Sequence, residues 1–281
     1  MNKRFLILTA DDYGMCRSAN EAVEHLFDEG CLSAASLMTP CPWATDAINR
    51  AKINKNIRIG LHLTLTSETK SHRWGPITAK RAVSLQDSHG FLFNNIEDLH
   101  LNAKESEVSA ELEEQLTFML KHGMAPTHVD CHMFFAGKPG VPEFFIEKVF
   151  DICAKGPWPF RLPRTLKLSG IIDRLGHLQR YLDRLIAVAD EKGIMTIDST
   201  VTGNYFLDKH DGYSTVKAAY LRLIKNMEAG TTEIFLHPSR DSDELREMFP
   251  NWRERVYEYQ FLLDPELKCT LNDEGIQLIR R

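Results

Sequence analysis

Two adjacent acids, Asp11 and Asp12, close a short apolar run near the start of the chain, in the stretch LILTADDYG. Other polar groups repeat that position at the end of an apolar run. His62 stands in GLHLTLT, His128, Asp130 and His132 in THVDCHMF, and His237 in IFLHPS. Carboxylates and imidazoles are the side chains that hold divalent cations. The same groups move protons near neutral pH. Each also has a plainer explanation: an Asp before a helix caps free N–H groups, and a single His in an apolar run is commonly a satisfied core residue. The repetition of the pattern on several runs favours chemistry over capping and packing.

Local geometry sharpens this. Side chains alternate along a strand, so Asp11 and Asp12 are expected to point in roughly opposite directions. By the same parity His128, Asp130 and His132 share one face, and Cys131 points to the other. A carboxylate among imidazoles either ligates a cation directly or orients a ligating His. Pro238 stops the strand after His237; that His is a general-acid candidate, or a buried His bonded to a carbonyl. Arg161 and Arg164, in PFRLPRT, follow a strand and suit pinning an acid or ordering the rim of a site. Trp74 offers a ring face to a sugar, or packs in the core.

The elements that must carry these residues alternate short apolar runs with longer amphipathic ones, the pattern of βα units around a parallel sheet. Strands are expected at residues 4–9, 33–38, 57–63, 127–131, 160–162, 194–197 and 233–236. Helices are expected at 18–29, 44–51, 105–122, 142–154, 171–191, 214–229 and 251–263. The first helix buries Ala19, Ala22, Val23 and Leu26 and ends at Gly30, a natural C-cap. The polar groups then fall at the C-terminal ends of strands, where parallel α/β folds assemble their sites. Residues 66–103 interrupt the rhythm and read as an insertion. Residues 134–140, FFAGKPG, form a tight loop directly after a strand.

The chain has 281 residues, 43% hydrophobic and 26% charged, which is ordinary globular usage. This length suits a single domain over 1–281, an α/β barrel of TIM-like (β/α) type. A formal net charge of -5 provides no electrostatic footprint for nucleic acid. The six cysteines are dispersed with no CxxC pair, as expected of free thiols in a cytoplasmic protein. No run approaches the ~18 apolar residues of a membrane span, and the N-terminal apolar run is too short for a signal peptide.

In combination, TADDYGMCRSANEAV, GLHLTLT, PTHVDCHMF and FLHPS resemble the YdjC-like carbohydrate deacetylase family, which includes chitooligosaccharide deacetylases. The resemblance covers residues 6–238. It implies a distorted TIM-like barrel, related to NodB-like deacetylase barrels, and one divalent cation, magnesium first with zinc or manganese as alternatives. It implies removal of acetyl from an N-acetylated sugar or oligosaccharide. By residue it implies Asp12, His62 and His132 as metal ligands, Asp11 as general base and His237 as general acid. From the residues themselves, His128 and Asp130 are the candidates to stand behind those ligands, and Arg161, Arg164 and Trp74 the candidates to face substrate. A homodimer is compatible with a barrel carrying an insertion. One departure stands out: many members continue the third block as a histidine run of the DSHHHVH type, whereas here Asp130-Cys131-His132 is followed by Met133, Phe134 and Phe135. Two other classes fit part of the pattern. Metal-dependent phosphoesterases acting on a sugar phosphate use similar ligands, but commonly with two metals. A non-catalytic sugar-binding or regulatory barrel needs no spare base beside its ligands.

Overall fold

The computed structural model describes residues 3–165, 176–203 and 211–281. Its seven strands are β1 (Arg4–Tyr13), β2 (Ala34–Leu37), β3 (Ile59–Leu63), β4 (Val129–Cys131), β5 (Ser199–Thr202), β6 (Gly230–Leu236) and β7 (Ile276–Leu278). The helices are α1 (Arg17–Asp28), α2 (Ala44–Ile53), α3 (Ile96–Asn102), α4 (Glu105–Lys121), α5 (Phe144–Cys153), α6 (Gly176–Glu191), α7 (Tyr213–Lys225), α8 (Asp243–Met248), α9 (Trp252–Leu263) and α10 (Pro265–Asp273). The strand order is β4-β3-β2-β1-β6-β5, with β7 beside β1. Each of these pairings is parallel.

The sheet is curled into a distorted half-barrel. Two isolated parallel bridges, Val129 to Phe160 and Pro163 to Ile197, lead from β4 toward the segment before β5. The backbone N–H of Arg161 donates to the Val129 carbonyl at 3.0 Å, and that of Arg164 to Ile197 at 2.8 Å. The runs at 160–162 and 194–197 therefore contribute single bridges rather than strands. β5 and β7 lie outside the apolar runs that mark strands in the sequence. β5 reads STVT and is half-buried, so it lacks the continuous apolar character of a two-sided buried strand. Residues 171–175 of the helix expected at 171–191 lie outside the described residues.

β1 is the central strand and is buried from Leu6 onward. The α1 face that packs on the core is the expected one, and its end is a Schellman turn. Gly30, at φ 70°, donates its N–H to Phe27, and Cys31 donates to Leu26, satisfying two carbonyls that the helix end leaves free. Residues 64–104 hold two single 3-10 turns, α3 and one antiparallel bridge from Gln86 to Leu92. This segment is fastened to α4. Buried Glu111 accepts the N–H groups of Ile77 and Thr78 and the Thr78 hydroxyl. Gln115 accepts the Thr64 N–H at 2.9 Å and donates to its carbonyl at 2.7 Å. Among the described residues no helix is long and apolar enough to cross a membrane. All six cysteines are free.

Candidate metal centre

The C-terminal end of β1 is irregular. Its register with β2 shifts between Ala10 and Tyr13, and Asp12 has a left-handed backbone, φ 62°. Asp tolerates that region better than most residues. The kink alters the expectation that the two acids diverge. Asp11 and Asp12 each place an oxygen within 4.8 Å of a His62 nitrogen, in two overlapping clusters.

Asp12, His62 and His132 form one of those clusters and all are buried. The Asp12 Oδ1 atom is 3.6 Å from His62 Nε2 and 3.2 Å from His132 Nδ1. Oδ1 has no hydrogen-bond partner. A buried oxygen without a partner carries a desolvation penalty. The other Asp12 oxygen accepts from Arg255 of α9 at 2.7 Å. Burial works against the charge on Asp12, yet Arg255 and the two imidazoles hold its carboxyl well below the usual carboxylate range.

Each imidazole has a carboxylate on its far side. The β3–β4 register sets His62 beside Asp130, and His62 Nδ1 lies 2.6 Å from Asp130 Oδ1. His132 begins a 3-10 turn after β4, with Met133 and Phe134 both at positive φ. Its Nε2 lies 2.9 and 3.0 Å from the two oxygens of Glu68. Burial pulls both imidazoles down, but these carboxylates and Asp12 outweigh it, aided at His62 by Asp11. His62 is pushed up to about 9 and His132 to about 10. The surroundings thus demand positive charge. A proton meets that demand on each ring, and a cation held by one carboxylate and two imidazoles would meet it as well.

Behind this cluster lies a second layer of charge. Arg161 makes a two-pronged contact with Asp11, at 2.6 and 2.7 Å, and also reaches Asp130 at 2.7 Å and Glu233 at 3.0 Å. Arg281 holds the other side of Glu233 at 3.0 Å. Asp130 also accepts from Ser36 at 2.7 Å, whose hydroxyl lies 3.0 Å from His128 Nε2. Burial and the nearby Arg281 lower His128, which keeps it neutral. Against burial, Arg161 and His62 hold Asp130 well below the usual range.

The three residues expected to face substrate are placed as follows. Trp74 is 3% exposed. Its indole N–H donates to the Thr66 carbonyl at 2.9 Å, so its ring packs in the core. Arg161 is buried and spent on three carboxylates, because an unpaired guanidinium would be costly there. Arg164 is exposed and pairs with Asp190. His237 donates its backbone N–H to Glu258, its ring nitrogen lies 3.8 Å from the same carboxylate, and its ring stands edge-on to Phe235. These contacts, to Glu258 and Phe235, do not reach the Asp12 cluster. Glu68, Arg255, Arg281 and Glu233 join the site without being among the residues expected there. Only Glu233 left a signal, an acid inside the apolar strand TEIFL.

A mostly apolar cavity of about 570 Å³ adjoins this region. Arg161, Cys131 and Phe134 are part of its wall, with Phe160, Leu162 and Phe235.

The carbohydrate deacetylase of Thermoanaerobacter pseudethanolicus is 25% identical over 276 residues, covering 98% of this chain and 97% of that protein. The human carbohydrate deacetylase is 28% identical over 295 residues, covering 97% of this chain and 88% of that protein. In fold the chain is similar to a "putative cellobiose-phosphate cleavage protein" from Enterococcus faecalis V583. The TM-score is 0.79 at 22% identity, covering 99% of this chain and 97% of the other. The family model described as YdjC-like protein matches residues 5–273, and the chain accordingly belongs to the YdjC-like family.

Proposed function

We propose that this protein is a metal-dependent carbohydrate deacetylase that hydrolyses the acetamide of an N-acetylated sugar, on a curled barrel related to NodB-like deacetylases. The observation that carries the reading is the partnerless Asp12 Oδ1, buried and facing one nitrogen from each of His62 and His132. Those three residues would hold the cation. One carboxylate with two imidazoles is a donor set that suits zinc or another borderline transition ion better than magnesium, which favours an oxygen shell. When bound, the cation supplies Lewis acidity toward the amide carbonyl and lowers the pKa of water.

The remaining work falls to the chain's own groups. Asp11 accepts the proton of the attacking water, and Arg161 fixes its orientation through two parallel hydrogen bonds. Asp130 keeps His62 in the tautomer that presents Nε2 to the centre. His237, held against Glu258, delivers a proton to the departing amine, since an amine anion cannot leave unaided. The products are acetate and an amino sugar.

A two-metal phosphoesterase is a poorer fit. The other acid clusters, Asp11-His62-Asp130 and His128-Asp130-Glu233, already have guanidinium groups of Arg161 and Arg281 against their carboxylates. The test is acetate release from N-acetylated mono- and disaccharides, before and after chelation and after restoring zinc. Chelator-sensitive release is expected. Absence of acetate from every sugar with the cation restored would sink the reading.

A further inference from the structure

We propose that Glu68 is a positioning residue for the cation: it holds His132 in the one tautomer and orientation that can ligate, and so sets metal affinity. The inference rests on the metal-dependent reading above. A neutral imidazole has one lone pair and one N–H. His132 turns Nδ1 toward Asp12 Oδ1, so ligation there requires the hydrogen on Nε2. Both Glu68 oxygens lie within hydrogen-bond distance of that nitrogen, at 2.9 and 3.0 Å. The contact therefore selects the tautomer, aims the ring and makes the ligating nitrogen a stronger donor.

Glu68 is not a swinging surface acid. Its side chain is 19% exposed, and the backbone before it is fastened at successive points. Gln115 clamps Thr64. The Trp74 indole N–H donates to Thr66, and the Trp74 backbone N–H donates to the Ser67 hydroxyl at 3.0 Å. Ser67 donates its own N–H to the Phe93 carbonyl at 2.8 Å. An exposed pair on a loose loop would contribute little; this acid sits on a rigid loop against a buried ring. It also completes a symmetry. Asp130 performs the same service for His62 at 2.6 Å, so each imidazole of the centre is backed by a carboxylate, one from a neighbouring strand and one from the segment after β3.

The experiment is calorimetric titration of zinc alone into the chelator-stripped full-length protein, wild type beside Glu68→Gln and Glu68→Ala. Gln keeps the size and a hydrogen-bond acceptor but loses the charge. The expected Kd is weaker by about 10- to 100-fold in Glu68→Gln, and weaker still in Glu68→Ala, with cooperative unfolding retained in Glu68→Gln. If Glu68→Ala fails to fold, Glu68→Gln alone decides. Zinc binding by Glu68→Gln within twofold of wild type overturns the proposal and leaves the metal centre standing. Wild-type protein that takes up no zinc overturns both.

Discussion

Arg161 contacts three buried carboxylates at once, those of Asp11, Asp130 and Glu233, and that single side chain keeps the floor of the site from flying apart. Replacing it by Met would leave acids with too little positive charge beside them. A loss of about 3–5 kcal/mol in unfolding free energy is expected, read by urea denaturation; a change below about 1 kcal/mol would refute this role. Asp11→Asn tests the other end of the pair. It should keep metal stoichiometry and lower kcat by about 10²–10⁴, whereas His62→Ala or His132→Ala should lose metal and activity together. Full turnover by Asp11→Asn would remove the base assignment. At this scale the sequence exposes what ends an apolar run. Asp11, Asp12, His62 and His132 stand out because a strand rim is a poor place for idle charge. Glu68, Arg255 and Arg281 stay hidden, because nothing local to a loop, a helix and a chain end tells which distant ring or carboxylate they meet.

Elements position these groups through register and through a missing side chain. β3 and β4 pair with His62 opposite Asp130, which settles the carboxylate–imidazole contact without any loop. Two residues earlier on β3, Gly60 leaves room for His128: a Cβ there would fall 2.2 Å from His128 Cε1. Gly60→Ala is therefore expected to displace the His128 ring from Ser36 and destabilise the protein by about 1–3 kcal/mol, measured as a lower denaturation midpoint. An unchanged midpoint would mean that the ring swings aside freely. Buried apolar strands such as β1 and β6 were legible as runs. The run at 160–162 was legible as a strand but not as a bridging crossing, since hydrogen-bond partners are chosen by the curl of the sheet. The β1 irregularity at Asp11 and Asp12 was invisible too, because period-two reasoning assumes an unbroken strand.

For the molecule as a whole, cation binding and folding should be linked, since the cluster that would bind it exists only when β1, β3 and the turn after β4 are assembled. With zinc at a thousandfold excess over its Kd, stabilisation of about 4 kcal/mol is expected. Differential scanning calorimetry should show a higher Tm with zinc than with chelator, and an identical Tm would argue against a cation at this place. The alternation of apolar runs made the α/β class readable, while the attachment of residues 64–104 to α4 through Glu111 and Gln115 was not, since both side chains lie on what passes for an ordinary amphipathic helix.

The order of the chain adds a consequence of the Asp12–Arg255 contact. Asp12, His62 and His132 all leave the ribosome before any of Arg161, Arg255 and Arg281. At usual translation speeds, Arg255 follows His132 by roughly 6–25 s. Arg161, the partner of Asp11 and Asp130, arrives early in that interval, so Asp12 is the acid that waits longest for its guanidinium and the end of β1 has reason to stay hydrated until α9 is made.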